Sequence, residues 1–257
     1  MIVAGIDIGS RSVKAVIWDG EAVIGHAQVP TGWTPEQSAE SALELAMLEA
    51  GVDRPGSIVA SGYGRRVVRF ANHTVTEITA HAVGVHHLMP EVATLIDIGG
   101  QDSKVTILEN GLVADFAMND RCAAGSGKFL EFLAHSIGKS VEEFAELGLQ
   151  SENPCLISSI CTVFAESEML SLLAEGKKAE DVACGVHRAI ALRVVQMAEK
   201  LNPRAPYAFT GGVALNKCMV RELSHTLGNP VVTPAEPLFT GALGAAILAH
   251  RRSCQTQ

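Results

Sequence analysis

Two stretches of this sequence, 90 positions apart, carry the same pattern and frame the fold of the whole chain. They cover residues 5–17 and 95–107, and each is followed by a turn, Asp19-Gly20 or Asn110-Gly111. The residues of the first copy that recur in the second are Ile6, Asp7, Ile8, Gly9, Lys14 and Ile17. Repetition of this kind predicts two halves of like architecture, each opening with a β-hairpin whose first turn is rich in glycine.

Short β-rich runs alternate with helical patterns along the chain, which predicts an α/β fold. The predicted strands are Val3 to Ile8, Ala15 to Trp18 and Tyr207 to Thr210. The pattern Thr34-Pro35-Glu36-Gln37 predicts a capping box at the start of a helix that Gly51 ends. A second helix is expected from about Asp181 to Leu201, before Asn202-Pro203, and a third begins within Thr240 to Ala246.

Composition excludes several classes of partner. The net charge of −8 gives the chain no general attraction for nucleic acid or anionic membranes. No apolar run reaches the length of a bilayer span, and residues 1–7 lack the basic start of a signal peptide. We therefore expect a cytoplasmic protein, in which the six cysteines do not form disulfides.

The two Gly-rich turns have the chemistry of phosphate binding. Asp7 and Asp97 each end a predicted strand, and Gly9 and Gly99 allow several backbone N–H groups to gather on a tight turn. The carboxylates are suited to the magnesium ion that accompanies a nucleotide. A single copy could equally be an ordinary turn, but the pair favours two facing turns that clamp a polyphosphate in a cleft.

A third turn, Gly211-Gly212, follows the strand that ends at Thr210, and the segment from Gly211 to Asn216 is expected to lead into a helix whose N-terminus attracts negative charge. The segment Ala124 to Lys128 looks like the end of a Walker loop. It lacks the leading glycine, and Phe129 replaces the hydroxyl residue that would bind magnesium, so we reject it as a Walker loop.

The order of these turns resembles that of the actin, sugar-kinase and heat-shock chaperone ATPase superfamily. Within it, the chain resembles the activator component of 2-hydroxyacyl-CoA dehydratases and the related benzoyl-CoA reductase ATPase subunits. The strings that carry this resemblance are Gly62-Tyr63-Gly64-Arg65, Ile96 to Asp102, Met118 to Gly125, Cys161 to Glu168, Thr210 to Ala214 and Gly241 to Ala246. The strings that contain Cys122 and Cys161 are more specific than any Gly-rich turn.

The resemblance implies two actin- or ribonuclease-H-like halves around an ATP cleft. The first half would comprise residues 1–90, completed by a C-terminal helix over 241–257, and the second residues 91–240. The catalytic positions would be Asp7, Asp97 and Gln101, with Gln101 orienting the attacking water. The ATP-binding positions would be Gly9, Ser10, Arg11, Ser12, Val13, Lys14, Gly99, Gly100, Gln101, Gly211, Gly212 and Asn216. Relatives often have threonine where this chain has Arg11, so two outcomes stay open there: a hydroxyl contact to phosphate is lost, or a charged contact is gained.

The resemblance also implies a homodimer that shares one [4Fe-4S] cluster, to which each chain contributes Cys122 and Cys161. Two thiolates from each of two chains supply the four that a cubane needs. A neighbouring cation and helix starts after both cysteines would favour the thiolate forms. Cys155 is a weaker third candidate, and we expect Cys184, Cys218 and Cys254 to be small buried side chains. The string after Cys161 also contains Glu166 and Glu168, whose roles stay open.

The implied function is an ATP-driven one-electron donor. It would take its electron from a ferredoxin or flavodoxin and pass it to an iron–sulfur 2-hydroxyacyl-CoA dehydratase or a related reductase, with Mg²⁺ and ATP/ADP as cofactors. The alternatives are a small-molecule kinase of the same superfamily, of the amino-sugar type, and a non-redox ATPase that regulates a partner by binding. Neither alternative explains the two cysteine strings.

Overall fold

The computed structural model describes residues 1–158 and 161–255, which form two compact units. The first unit contains residues 1–92, 108–114 and the C-terminal residues from Pro234. The second contains residues 93–107 and, among those described, 115–233. The functional boundaries expected from the sequence, 1–90 with 241–257 and 91–240, stay a prediction, and residues 256–257 lie outside the described residues.

The first unit is built on a five-stranded sheet in the order β3-β2-β1-β4-β5. Its strands are β1 Val3–Ile8, β2 Ser12–Trp18, β3 Val23–Pro30, β4 Ile58–Ser61 and β5 His73–Thr74. The strand β2 pairs antiparallel with both β1 and β3, whereas β4 runs parallel to β1 and β5 runs parallel to β4. The predicted hairpin at Asp19-Gly20 is confirmed, since it joins β2 to β3.

The second sheet has the same arrangement, in the order β10-β9-β6-β7-β8. Its strands are β6 Thr94–Ile98, β7 Ser103–Glu109, β8 Leu112–Asn119, β9 Tyr207–Thr210 and β10 Val231–Val232. Again β6 and β7 form an antiparallel pair, and β9 runs parallel to β6. The sequence repeat is therefore a repeat of topology, with β6, β7 and β9 in the places of β1, β2 and β4.

Helices cover both faces of the first sheet. The alternation along β1 directs Ala4, Ile6 and Ile8 towards α1 (Pro35–Ala50) and Val3 towards the face covered by α2 (Glu77–Leu88) and α8 (Thr240–Gln255). The helix α1 has a proline at its first position and ends at Gly51 in the left-handed conformation, as predicted. The predicted capping box is wrong, because the Thr34 hydroxyl lies 2.7 Å from Gln37 Oε1 and caps no backbone N–H group.

The second unit is mostly helical outside its sheet. Its helices are α3 Gly127–Ser136, α4 Val141–Leu149, α5 Thr162–Ala174, α6 Ala179–Glu199 and α7 Lys217–Leu227. They bury a core around Phe129, Phe144, Met169 and Phe209. The long helix predicted from about Asp181 to Leu201 is α6, displaced by two residues towards the N-terminus. Over the described ranges, no helix combines the length and the apolar character needed to cross a membrane.

Candidate functional site

The first Gly-rich turn joins β1 to β2 and holds a buried carboxylate. Asp7 is only 4% exposed, and it lies opposite Lys14 on β2, with 3.4 Å between Nζ and Oδ2. The turn is closed by a hydrogen bond from Gly9 N–H to the carbonyl of Ser12, at 3.2 Å. The strand pairing therefore fixes a carboxylate and a cation beside a tight backbone turn.

The second turn repeats this geometry residue for residue. Asp97 lies opposite Lys104, again with 3.4 Å between Nζ and Oδ2, and Gly99 N–H donates to the carbonyl of Asp102 at 2.9 Å. Lys104 is buried and also lies 2.8 Å from Asp102 Oδ2. The sequence analysis named Lys14 but missed Lys104 and Asp102, although the repeat itself pairs Lys104 with Lys14.

A third strand adds a hydroxyl–glycine pair to each turn. In the parallel pairing, Ser61 on β4 lies beside Asp7, as Thr210 on β9 lies beside Asp97. The next residues, Gly62 and Gly211, both have φ of 85°. A Cβ atom at Gly62 would lie 2.5 Å from Asp7 Oδ1, and one at Gly211 would lie 2.9 Å from Asp97 Oδ1, so only glycine fits at these positions. This pair extends the repeat to residues that the sequence comparison had not aligned.

The two units differ in how they use this hydroxyl. In the second, Thr210 Oγ1 donates to Asp97 Oδ1 at 2.9 Å. In the first, Asp7 Oδ1 and Ser61 Oγ are buried with no hydrogen-bond partner among the described residues. Because burying such atoms without a partner is costly, the Asp7–Ser61 pair fits a hard cation such as Mg²⁺ or one of its water ligands.

The other residues predicted for the first turn are held mainly through their backbone. Thr31 fixes the turn from β3, since its hydroxyl donates to the carbonyl of Gly9 at 2.7 Å and its N–H donates to that of Arg11 at 3.1 Å. The Val13 side chain is fully buried in the core, so only its backbone can contact a ligand. The Arg11 side chain is exposed, as is that of Gln101 in the second turn. Half-buried positions are Gly9, Ser10, Ser12, Gly99 and Gly100.

The third turn leads into a helix, α7, as the sequence predicts. A single 3-10 turn, Gly212–Leu215, separates the Gly211-Gly212 turn from α7, so the glycines do not form the N-terminus of that helix. Asn216 caps α7 instead, because its Oδ1 accepts from Met219 N–H at 2.9 Å. Its Nδ2 lies 3.0 Å from His187 Nε2 on α6, and Asn216 is therefore placed to position α7 behind the glycine turn.

His187 is a fully buried neutral imidazole behind this turn. Burial lowers its pKa to about 4, and the effect outweighs the opposing hydrogen bond to the carbonyl of Ala183. Because Asn216 Nδ2 can only donate, His187 Nε2 must accept, and Nδ1–H donates to Ala183 at 2.8 Å. The ring also stacks on Phe144, with 5.4 Å between centroids.

Cys122 lies in an exposed loop between β8 and α3 that Asn119 organises. The Asn119 amide donates to the carbonyls of Cys122 and Ala124 at 2.9 and 3.0 Å, and its Oδ1 accepts from Cys122 N–H at 3.3 Å. The loop is not itself the N-terminus of a helix, as α3 begins only at Gly127. The sequence analysis quoted Asn119 within its string but gave it no role.

The second Gly-rich turn is tied directly to the helix that follows Cys122. Gly127 N–H donates to the carbonyl of Gly99 at 2.9 Å, and Lys128 N–H donates to that of Gly100 at 2.8 Å. These N–H groups belong to the first turn of α3, where they have no partner within the helix. Since they bind protein carbonyls, they are not available for phosphate, which agrees with the rejection of a Walker loop.

Cys161 is the N-cap residue of α5, and its side chain is exposed. Glu168 on the same helix accepts hydrogen bonds from the N–H and hydroxyl of Ser158, at 2.9 and 2.8 Å, so it ties the preceding segment to α5. Residues 159–160, between that segment and Cys161, lie outside the described residues. Glu166 lines a groove of about 510 Å³ together with residues of α3 and α4.

A cation from α6, Arg193, lies near Cys122. The Arg193 guanidinium stacks over Phe129 at 5.5 Å from the ring centroid. Burial lowers the pKa of Arg193, and the nearby Cys122 opposes this effect. Local spacing along the chain could not show this contact, because it is made across helices.

The other four cysteines divide by burial. Cys184 and Cys218 are fully buried, as predicted, and Cys155 is half-buried, with a pKa raised first by burial and then by Asp181. The prediction for Cys254 is wrong, because this residue is exposed near the end of α8.

Two sheets of the same topology, each with an Asp–Gly turn beside its first strand, define the actin-like ATPase and sugar-kinase class of folds. The predicted α/β class with two similar halves is confirmed. A ROK-family glucokinase from Streptomyces griseus, solved with glucose and AMPPNP, superposes with a TM-score of 0.64 over 98% of this chain and 100% of that one. At 15% identity this likeness concerns the fold alone.

Residues 4–249 match the model of the BadF/BadG/BcrA/BcrD ATPase family, and the chain belongs to that family. The 2-hydroxyisocaproyl-CoA dehydratase activator of Clostridioides difficile is 38% identical over 261 residues, which cover 100% of this chain and 98% of that protein. The crystal structure of component A of the Acidaminococcus fermentans (R)-2-hydroxyglutaryl-CoA dehydratase has a TM-score of 0.95 and 36% identity, over 99% of both chains.

The Thr210 hydroxyl has a hydrogen-bond partner and the Ser61 hydroxyl has none, so removing each hydroxyl should affect stability differently. Thr210→Val removes a hydrogen bond from a buried carboxylate and should lower the free energy of unfolding by about 1–3 kcal/mol. Ser61→Ala removes a buried hydroxyl without a partner and should change it by less than about 0.5 kcal/mol or increase it. Urea unfolding in buffer free of magnesium and nucleotide measures both. Equal losses in the two variants would contradict the asymmetry.

His187 predicts a dependence of stability on pH. Its folded pKa of about 4 lies below the ordinary 6.5, so the unfolded chain binds the extra proton between these values. The stability that the neutral His187 gives to the folded state is fully present above pH 6.5. It decreases by up to about 3 kcal/mol as the pH falls to 4. The stability difference between wild type and His187→Gln, followed by urea unfolding across this range, should shrink accordingly. A difference that does not vary with pH would contradict the buried neutral imidazole.

Proposed function

We propose that this chain is an ATP-driven one-electron donor that activates an iron–sulfur 2-hydroxyacyl-CoA dehydratase or a related reductase. The observation that carries the proposal is the pair of hydrogen bonds from Gly127 and Lys128 to the Gly99-Gly100 turn. They connect a candidate phosphate turn to the helix that follows Cys122. The names of the similar proteins, a dehydratase activator and a dehydratase component, support the choice of partner.

In the nucleotide part of the proposal, each unit offers one carboxylate turn to ATP. Asp7, with Ser61, holds the magnesium ion or its water, which supplies a counter-charge to the phosphates. Asp97 is held by Lys104 and Thr210, and Gln101 orients the water that attacks the γ-phosphate. The Gly211-Gly212 turn lets the backbone approach the nucleotide closely. Hydrolysis to ADP removes the contacts that the γ-phosphate makes at residues 99–101.

In the redox part, Cys122 and Cys161 of two copies hold one [4Fe-4S] cluster, which supplies the one-electron carrier when it is bound. Both thiols are exposed, as the ligands of a group shared between subunits need to be. Exposed apolar side chains accompany them, since Val163 and Phe164 on α5 are 61% and 67% exposed. A second copy of the chain would cover these side chains on forming a homodimer.

The two parts are coupled through α3. A change at Gly99 or Gly100 on loss of the γ-phosphate displaces the carbonyls that hold the first turn of α3. That helix carries the Cys122 loop with it, and the loop keeps its shape through Asn119. For the coupling to do work, ATP and ADP must have different affinities for the two positions of α3. The electron donor, a reduced ferredoxin or flavodoxin, loses one electron and the partner enzyme gains one.

The turn carboxylates predict the loss of ATP hydrolysis in two isosteric variants. Asp7→Asn and Asp97→Asn should each lower the ATPase rate by about 100-fold or more, because the first removes the negative charge that holds Mg²⁺ and the second removes the negative charge that fixes Lys104 beside the turn. Ser61→Ala should raise the Mg²⁺ concentration needed for half-maximal rate. Asp53→Asn, at an exposed loop position, is the matched control. A normal rate in either turn variant would exclude the assigned site.

Iron content tests the cluster ligands. Protein purified without air should contain about four irons per dimer, as one cubane requires. Cys122→Ala and Cys161→Ala should each lose this iron, whereas the buried Cys184→Ala should retain it. Colorimetric iron analysis with visible absorption measures the outcome. Iron-free wild-type protein would sink the redox proposal, and an equal loss in Cys184→Ala would refute the ligand assignment.

A further inference from the structure

A buried histidine, His81 on α2, lies close to the Asp7 carboxylate within the first unit. It is 5% exposed and has no role in the proposed function. The two side chains approach each other at Gly241, in the first turn of α8. A Cβ atom at Gly241 would lie 2.6 Å from His81 Nε2 and 3.3 Å from Asp7 Cγ. The Nε2 edge of the ring and the carboxylate therefore border the same small space, which a glycine at position 241 leaves open.

Thr240 holds the other edge of the imidazole ring. Its Oγ1 lies 3.4 Å from His81 Nδ1 and donates to the carbonyl of Pro237 at 3.1 Å. Because the single hydroxyl proton is used on Pro237, Oγ1 can only accept from His81, so Nδ1 carries the proton of the neutral ring. In that tautomer Nε2, the ring atom on the Asp7 side, is an acceptor. Thr240 is 1% exposed, so packing also keeps the ring in this orientation.

The carboxylate on the other side of this space has an oxygen that needs a ligand. Asp7 Oδ2 lies 3.4 Å from Lys14 Nζ, whereas Oδ1 is buried without a hydrogen bond among the described residues. A ligand that satisfies Oδ1 and also donates to His81 Nε2 must combine positive charge or a donor with further O–H groups. Hydrated magnesium meets both needs, since Mg²⁺ keeps several of its waters when one or two carboxylates bind it.

A second carboxylate on α2 adds to the acceptors around the ring. Glu77 lies one helical turn before His81, and an oxygen of its half-buried side chain lies within 4.8 Å of a ring nitrogen. Carboxylates near the imidazole disfavour direct contact with phosphate, because like charges repel. Their oxygens and the acceptor nitrogen are instead suited to the hydrogens of water molecules bound to a cation.

We propose that His81 is a positioning residue for the magnesium ion, and that its Nε2 accepts a hydrogen bond from a water of the magnesium shell. The inference rests on the proposed function, in which Asp7 holds Mg²⁺ or its water. Thr240 fixes the ring, and Asp7 and His81 then restrict the positions that the coordinated waters can take. Partners of this kind outside the ligand shell commonly raise metal affinity by orienting the ligands.

Binding of Mn²⁺ tests the proposal without relying on catalysis, because Mn²⁺ suits the same oxygen ligands as Mg²⁺ and its free form has a strong EPR signal. Anaerobically purified full-length protein with ADP is titrated with Mn²⁺. His81→Asn should raise the dissociation constant by about tenfold or more, since an asparagine amide can replace Nδ1 but not Nε2. His81→Gln, whose amide oxygen can replace Nε2, should raise it by less than about threefold. His73→Asn, at an exposed position of β5, is the matched control.

The order of the two variants separates positioning of the ion from a merely structural role. If His81 served only to contact Thr240, His81→Asn would bind Mn²⁺ like the wild type and His81→Gln would bind it more weakly, which would overturn the proposal. Loss of Mn²⁺ binding in Asp7→Asn under the same conditions would then leave the proposed magnesium site standing. Wild-type affinity in Asp7→Asn would instead mean that the proposed site itself is wrong, and this inference with it.

Gly241→Ala tests the same space without replacing the ring. Alanine is favourable in a helix, but its methyl group would lie against His81 Nε2 and beside the Asp7 carboxylate. We expect a folded protein, shown by a cooperative urea transition, whose dissociation constant for Mn²⁺ is raised by about tenfold. Wild-type affinity in folded Gly241→Ala would contradict the proposal even if His81→Asn does not fold.

Discussion

Two backbone hydrogen bonds, from Gly127 to Gly99 and from Lys128 to Gly100, join the first turn of α3 to the second Gly-rich turn. The donors are N–H groups of the first helical turn, which have no partner within the helix. The acceptors are the backbone carbonyls of the Gly-rich turn. The turn cannot shift away from α3 without breaking both bonds, and each hydrogen bond contributes about 1 kcal/mol.

The internal repeat gives the chain two carboxylate turns of the same geometry, which differ in the hydrogen-bond partners of their carboxylates. Asp97 has Thr210 and Lys104 as partners, whereas Asp7 keeps one oxygen without a hydrogen bond beside Ser61. A satisfied carboxylate is a rigid part of the turn. The carboxylate of Asp7 keeps one buried oxygen without a hydrogen bond, which costs stability unless a ligand satisfies it.

Much of the fold could be predicted from the sequence because its signals are local. The recurrence of Asp7 at Asp97 located both hairpins, and Gly51 ended its helix, since these features depend on neighbours within a few residues. The predicted capping box at Thr34 is wrong because the Thr34 hydroxyl hydrogen-bonds to the Gln37 side chain and not to the backbone. Alternative hydrogen-bond partners of one side chain differ less in free energy than the presence and absence of a whole strand or helix.

The candidate site was predicted less completely, because its contacts join distant parts of the chain. Ser61 reaches Asp7 only through the parallel pairing of β4 with β1, and Arg193 comes near Cys122 only through the packing of α6. The sequence could not show that the Asn216 amide caps α7 and contacts His187, and its predicted place in the nucleotide site stays a prediction. The expectation that Cys254 is buried is wrong, because the helix that carries it ends at the surface.

Hydrogen–deuterium exchange of the anaerobic holoprotein tests the central claim most directly. Samples with magnesium and either ADP or a non-hydrolysable ATP analogue are compared over residues 120–130. If the turn at Gly99-Gly100 controls α3, exchange at the amides of Gly127 and Lys128 should differ between the two nucleotides by about tenfold, which corresponds to about 1.4 kcal/mol in local opening. Equal exchange in this segment, with the peptides around Gly9 and Gly211 protected by both nucleotides, would contradict the coupling.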